Sequence, residues 1–260
     1  MGLFKSPTIA GKGIKKDDDN RRGFIKFFEL FKRRYPKLLS LGLLTVAFNL
    51  PIITGGLGAV GIAKVARIAV RDRHFFTSDY FDAIKKNWKP ALIMGIINTI
   101  LTALSLFSIY YIYNDKKDSL SFVMLSLSIF AFVITTFIKY YTPSILITFN
   151  VTLGQLYKNA VILSFAGIKR NFSILILHIL AHAIILLPLL IDIYVGAGIA
   201  LCLYFLIIPP FKDFAVQYHI YPIMFKYMIK PFMDEHPDEK PETLFELGLI
   251  TPDDEVIMKD

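Results

Sequence analysis

Cysteine is almost absent from this sequence of 260 residues, since Cys202 is the single one. One cysteine excludes an internal disulfide and any metal site built from several cysteines. The sequence also lacks the common catalytic patterns, with no Gly-x-Ser-x-Gly, no His-Glu-x-x-His and no phosphate-binding loop. We therefore expect neither an enzyme nor a bound cofactor or metal.

Acidic residues are scarce outside the last 27 residues, which hold ten of the 21. The first 37 residues carry eleven Lys and Arg against four acids, whereas the last 27 carry two against ten. The net charge of +8 thus comes from basic stretches that flank apolar runs. Such residues orient membrane helices and meet anionic lipid head groups. We expect the lipid bilayer as a partner and no nucleic acid.

The sequence is rich in apolar runs of membrane length. A helix needs about 20 apolar residues to cross a bilayer. The predicted fold class is all-α, a polytopic transmembrane helical bundle of about six membrane segments with cytoplasmic interfacial helices. Two segments are predicted within 38–63, and the others at 90–113, 119–138, 172–191 and 193–211. The predicted domains are a flexible cytoplasmic arm (1–20), a membrane domain (21–233) and an acidic cytoplasmic tail (234–260).

The first apolar run, Leu38 to Ala63, is 26 residues long, which is long for one crossing and short for two. Pro51 and the glycines after it favour a turn near the middle. The next segment, Lys64 to Lys89, holds seven Lys and Arg, as is typical of a cytoplasmic loop. We therefore predict a hairpin broken near Pro51, with both chain termini in the cytoplasm; a single span is the alternative. A turn at membrane depth must be shielded by helices or line a wet cavity.

Amphipathic stretches are predicted at the cytoplasmic surface. One covers 21–35, where aromatic residues recur at helical spacing, and packing against the bundle is its alternative environment. A second surrounds Phe81 and Trp88, and a third forms an elbow at 153–161. Lys64 and Arg67, after the hairpin, are expected to extend to the same surface.

His178 and His182 stand four residues apart in the segment 172–191 and share a helix face. Two imidazoles at this spacing can hold zinc or pass protons. Neighbouring apolar runs supply no further ligand, so we interpret the histidines as a hydrogen-bonded polar pair inside the bundle. Serine and threonine in the segments 90–113 and 119–138 are interpreted as helix-packing positions, and the lining of a solute path is the alternative.

Three motifs resemble the YesL family of bacterial membrane proteins. Residues 49–56 resemble its N-x-P-[VI]-[VI]-T signature, residues 79–89 its aromatic loop and K-x-N-[FW]-K element, and residues 156–160 its L-x-K-N-A elbow. The motif positions that we single out as structural or partner-contact residues are Asn49, Pro51, Thr54, Gly55, Asn87, Trp88 and Asn159. The likeness extends over about 23–233.

The resemblance implies an accessory role. Members of that family have no established biochemical function and are usually encoded beside the permeases and binding proteins of ABC-type carbohydrate importers, mostly in Gram-positive bacteria. We therefore hypothesise a subunit or regulator of such an importer in the cell membrane, with permease subunits as partners. The first alternative is a self-sufficient solute transporter or channel that uses the broken first segment, His178 and His182. The second is a membrane sensor that modulates a kinase.

Overall fold

The computed structural model describes residues 23–114 and 119–235, except the side chains of Phe24 and Ser119. Every element in these ranges is a helix, which confirms the predicted all-α class. The helices are α1 (Gly23–Asn49), α2 (Gly55–Val70), α3 (Thr77–Asn114), α4 (Ser119–Leu146), α5 (Leu153–Ala166), α6 (Ile168–Leu186), α7 (Ile193–Met224) and α8 (Lys230–Glu235). A 3₁₀ helix, Leu187–Leu190, follows α6, and a π-helical turn, Phe225–Ile229, joins α7 to α8. The predicted arm at 1–20 and nearly all of the tail at 234–260 lie outside the described residues.

Four helical stretches in the described residues are long and apolar enough to cross a membrane. They are Thr77–Asn114, Leu120–Leu146, Ile168–Leu190 and Ile193–Glu235. Their large apolar side chains, such as Phe107 in α3 and Phe130 in α4, are exposed on the outside of the protein. Soluble monomers rarely expose apolar surface on this scale, so lipid is the environment that this surface fits. The architecture is that of a multi-pass membrane protein, and the predicted count of about six segments is not confirmed.

The break predicted near Pro51 is present. α1 ends at Asn49 and α2 begins at Gly55. The two helices form an antiparallel hairpin, because Arg33 in α1 donates to Asp72, just after α2, at 2.7 Å. In the turn, Ile52 has a φ of 57°, a left-handed conformation that is strained for a β-branched residue. The single-span alternative is excluded.

The α1–α2 hairpin does not extend as far as the candidate spans. Ile52 at its tip lines the same cavity as Thr99 in α3. At 1.5 Å per residue, Thr99 lies about 14 Å from Pro90 and about 22 Å from Asn114, the two ends of the apolar part of α3. The hairpin tip therefore lies beside the interior of α3 and does not reach its far end at Asn114.

α2 is the central helix of the fold, and its small residues let the neighbouring helices approach closely. Gly56 packs directly against Gly95 of α3, and Gly58 packs against Phe48 of α1. Val65 of α2 is fully buried. Close backbone approach at glycine is the usual way in which membrane helices associate, since lipid offers no hydrophobic drive between them.

The aromatic stretch predicted at 21–35 forms the first half of α1 and packs against the bundle. The buried ring of Phe27 lies 5.3 Å from that of Phe214 in α7, and the ring of Phe31 lies 5.5 Å from Phe214. Phe28 remains exposed. Phe27 and Phe31 thus pack against the bundle, which is the alternative environment given for this stretch.

The two other amphipathic stretches are helical as predicted. Residues 77–86 form the first part of α3. The exposed ring of Phe81 lies in this part, and the exposed ring of Trp88 lies just after it. The elbow at 153–161 lies in α5, which begins with a capping box between Thr152 and Gln155. That cap satisfies amide groups that the first turn of a helix leaves without partners.

Arg67 does not reach the surface, so that prediction is wrong. Its side chain is buried, and the guanidinium donates to Thr148 Oγ1 and, at 2.9 Å, to the carbonyl of Ser144 in α4. The prediction failed because it treated α2 as a surface arm. In the structure α4 and α7 cover α2, and Lys64 is half-buried.

Candidate functional site

A cavity of about 520 Å³ lies where the hairpin tip meets the candidate spans. We call it the hairpin cavity; residues of α1, α2, α3, α4, α6, α7 and the α1–α2 turn line it. Its volume falls within the 300–1,000 Å³ usual for small-molecule sites. Asn49, Ile52 and Lys139 in its wall are exposed, so the cavity is open to the surroundings. The turn thus borders a cavity. This is one of the two environments predicted for a turn at membrane depth, the other being shielding by helices.

Besides the phenol of Tyr140, four ionisable side chains of the described residues line the hairpin cavity. They are Lys139 from α4, His178 from α6, and Lys212 and Asp213 from α7. Ionisable groups within membrane segments are costly, and they commonly mark solute or ion pathways. Their convergence from three helices makes the cavity the candidate functional site.

The charged groups of the cavity do not neutralise one another directly. Lys139 Nζ donates to Thr102 Oγ1 at 3.1 Å, which is a neutral partner. His178 Nε2 lies 3.3 Å from the Lys212 carbonyl oxygen, and the ring must donate there because a carbonyl can only accept. Within 23–114 and 119–235, the Lys212 ammonium and the Asp213 carboxylate form no ion pair. The cavity wall therefore contains the ammonium groups of Lys139 and Lys212 and the carboxylate of Asp213, and each can still form an ion pair with a bound molecule.

A neutral polar side chain in the cavity wall, Gln217, also has an unused hydrogen-bond acceptor. Gln217 is 2% exposed, and its Nε2 donates to Ser144 Oγ at 2.5 Å. Its Oε1 is buried without a hydrogen-bond partner. Buried polar atoms are rarely left unpaired, and an unpaired one calls for a functional or structural explanation. The oxygen itself has almost no exposed surface, so a molecule in the cavity reaches this acceptor only when the Gln217 side chain turns toward it.

Asn98 in the cavity wall is fixed by its neighbours. Its Nδ2 donates to Thr142 Oγ1 at 3.1 Å, and the Tyr157 hydroxyl donates to its Oδ1 at 3.0 Å. Burial raises the pKa of Tyr157, in α5, to about 12. The phenol therefore stays protonated at neutral pH and acts as a constant donor, which holds the Asn98 amide in one orientation.

Four of the residues singled out by the sequence resemblance build the hairpin tip. Asn49 and Gly55 line the cavity, and Pro51 is exposed in the turn. Thr54 is the N-cap residue of α2, but its hydroxyl donates to the Phe48 carbonyl at 2.5 Å and does not cap α2. These residues shape the break that opens the cavity.

The other three motif residues do not line the cavity. Asn87 is the non-helical residue within α3, with φ −120° and ψ 17°, and its Nδ2 donates to the Ala83 carbonyl at 3.0 Å. Trp88 is half exposed, and Lys89 Nζ lies 5.3 Å from the centre of its ring. Asn159 is half-buried in α5. Asn87 and Trp88 mark a bend and an exposed aromatic anchor of the kind found at membrane surfaces.

The two histidines separate in the structure. His178 lines the cavity, whereas His182 is exposed and does not line it; the His182 Nδ1 donates to the His178 carbonyl at 2.7 Å. The pair is thus joined through the backbone and not ring to ring. Among the described residues, no group of three or more His, Cys, Asp or Glu side chains is placed to hold a metal ion.

Three cavity residues escaped the sequence analysis. Lys139 and Lys212 directly follow the predicted spans 119–138 and 193–211, and Asp213 comes next after Lys212. α4 continues past Lys139 to Leu146, and α7 continues past Lys212 to Met224, so neither lysine is at a helix end. The available signal was the dipeptide Lys212–Asp213, which follows an apolar run at once and is itself followed by more apolar residues.

No protein-family model matches the chain, and neither a curated protein nor a solved structure matches it. The resemblance to the YesL family therefore stays a prediction. Function is inferred from the hairpin cavity.

Proposed function

We propose that this chain is a multi-pass membrane protein that binds a small polar solute in the hairpin cavity and carries it across the membrane. The observation that carries the proposal is a cavity lined by two lysines, a histidine and an aspartate at the tip of the α1–α2 hairpin. Broken helices build the substrate sites of many transporters inside the bilayer, where unwound backbone and helix ends face the solute. Among the sequence hypotheses, the self-sufficient transporter is the one this geometry supports best.

The proposal places the chain in the cell membrane with both termini in the cytoplasm. The start of α1 and the last part of α7 lie at the same end of the bundle, because the Tyr218 hydroxyl in α7 donates to the Gly23 carbonyl. This end also carries the basic connection between α2 and α3, with Arg71 and Arg73. An excess of Lys and Arg favours the cytoplasmic side.

Cysteine labelling tests this orientation. In a Cys202→Ser background, Ile191→Cys at the α6–α7 turn should react with a membrane-impermeant maleimide in intact cells. Ser78→Cys, at the start of α3, should react only after the membrane is permeabilised. Both native side chains are exposed, so access to the reagent depends on the side of the membrane. Labelling of Ser78→Cys in intact cells would exclude the proposed orientation.

Filling the cavity tests transport. The purified full-length chain in lipid vesicles should take up a polar solute from a labelled panel faster than empty vesicles do. Thr99→Trp places an indole in the cavity wall and should reduce that uptake at least tenfold. Uptake equal to that of empty vesicles across the panel would exclude a self-sufficient transporter.

Ser126→Trp is the matched control. Ser126 is an exposed hydroxyl residue on α4 that does not line the cavity, and like Thr99 it donates to the carbonyl four residues earlier at 2.9 Å. It should transport like the original chain. If both tryptophan variants lose uptake equally, the loss comes from membrane insertion or folding and not from the cavity.

The importer-subunit hypothesis rests on the sequence resemblance alone. It expects that affinity purification from native membranes recovers permease subunits of a carbohydrate importer. A tagged chain that elutes alone in mild detergent and still transports by itself would reject that hypothesis in favour of the transporter.

A further inference from the structure

The hairpin cavity has a distinctive arrangement of charge. Lys139 and Lys212 line it from two different helices and interact electrostatically with each other. Two ammonium groups that line one cavity repel each other, and the repulsion falls when an anion binds between them. Thr102, the hydrogen-bond partner of Lys139, is uncharged and supplies no such relief.

Among the described residues that line the cavity, Asp213 is the one acid. Its carboxylate forms no ion pair within 23–114 and 119–235, so it leaves both ammonium groups without a bonded counter-ion. Counted at formal charges with histidine neutral, the two lysines and Asp213 give the lining one net positive charge. A ligand with one negative charge would make the filled cavity neutral, whereas a dianion would leave an excess negative charge that is costly inside a membrane.

The cavity also offers acceptors for uncharged donors. Gln217 Oε1 is buried in the wall without a partner and becomes an acceptor for a ligand when its side chain turns toward the cavity. The Asp213 carboxylate also lines the cavity, and within 23–114 and 119–235 it forms no hydrogen bond. Hydroxyl groups on a ligand can donate to both. Sites built in this way reject molecules that lack the matching polar groups, because their own buried polar atoms would then remain unpaired.

We infer that the solute is a small hydroxylated organic acid with one negative charge, held with its carboxylate between Lys139 and Lys212 and its hydroxyls toward Asp213 and Gln217. This inference rests on the proposed function, because it names the class of molecule for the same cavity. α2 contributes as well, since its amino-terminal residue Gly55 lines the cavity and helix amino termini favour anions.

Binding of three matched probes tests the charge assignment. Gluconate, glucose 6-phosphate and glucose share a six-carbon hydroxylated frame and differ in charge. With the full-length chain in lipid nanodiscs, calorimetric titration should give a Kd for gluconate at least tenfold lower than that for glucose, with glucose 6-phosphate weaker than gluconate. Equal affinity for gluconate and glucose would overturn the inference and leave solute binding in place. Binding of none of these probes, nor of the solute transported in vesicles, would overturn both.

Single substitutions assign the effect to named groups. Lys139→Gln and Lys212→Gln should each weaken gluconate binding at least tenfold and leave the affinity for glucose within twofold. Lys158→Gln is the control, because Lys158 is an exposed lysine of α5 that does not line the cavity. Unchanged gluconate affinity in both cavity variants would contradict the assignment.

Asp213→Asn provides a test in the opposite direction. Removing this carboxylate raises the net charge of the lining by one. The ratio of the Kd for glucose 6-phosphate to the Kd for gluconate should therefore fall about tenfold, in favour of the dianion. The amide keeps an acceptor oxygen for ligand hydroxyls. A preference that stays unchanged in a variant with an unaltered melting temperature would show that Asp213 does not set the charge of the bound solute.

Discussion

Gly56→Ala is expected to lower the free energy of unfolding by about 3 kcal/mol, the upper end of the usual cost of overpacking. An added Cβ at Gly56 would clash with the carbonyl oxygen of Ala91 and would lie 2.9 Å from the Cα of Gly95. Both are backbone atoms of α3, so no side chain can rotate away. α2 and α3 would have to separate at the point where the hairpin tip is held, and the hairpin cavity would lose its shape.

Gly198→Ala is the matched control for this prediction. Among the described residues, no heavy atom outside the neighbouring backbone of α7 lies within 4 Å of a Cβ added at Gly198. Alanine also has the better helix propensity, so this variant should be as stable as the original chain or slightly more stable. The measurement is unfolding in detergent, followed by circular dichroism. Equal stability of the two alanine variants would show that the close contact between α2 and α3 is absent.

Arg67→Ala is expected to destabilise the fold by a similar amount, about 3 kcal/mol. Arg67 is among the largest fully buried side chains, and it links α2 to α4 through Thr148 and Ser144. Truncation would leave a void in the centre of the bundle and would remove donors from two buried acceptors. The loss should appear in the same detergent unfolding experiment.

Two further replacements of Arg67 show whether its size or its charge stabilises the fold. Within the described residues Arg67 has no acidic partner, and its Nε is buried without a hydrogen bond. A buried charge without a counter-ion is costly, so an apolar side chain of similar length can be tolerated better than another cation. Arg67→Met should therefore be more stable than Arg67→Lys, which keeps the charge and loses the forked geometry. The reverse order would mean that the charge itself stabilises the bundle.

The part of the site that follows from local chemistry was predictable from the sequence. Pro51 and the glycines at 55, 56 and 58 identify a break because proline and glycine disfavour an uninterrupted helix, and the structure has the break at 50–54. The depth of the hairpin was not predictable in the same way. The depth is set by the close contact between the backbones of Gly56 in α2 and Gly95 in α3. This contact joins two helices, so the residue pattern of either helix alone does not predict it.

His178 shows the same limit at the level of one residue. Its position four residues before His182 suggested a pair, because side chains four apart lie on one helix face. In the structure the more important neighbour of His178 is the Lys212 carbonyl of α7, which is 34 residues away in sequence. The rotation of α6 against α7 turns His178 toward the cavity and leaves His182 exposed.

By itself the sequence determined the helical class, the apolar stretches and the place of the hairpin break, because each follows from residue types within one segment and from the length that a bilayer requires. Only the tertiary structure decided that the hairpin tip lies beside the interior of α3 and that Lys139, His178, Lys212 and Asp213 surround one cavity. The physical reason is that these side chains come from three separate helices. Their meeting depends on helix length, rotation and close contact at glycine, which are fixed only when the helices pack.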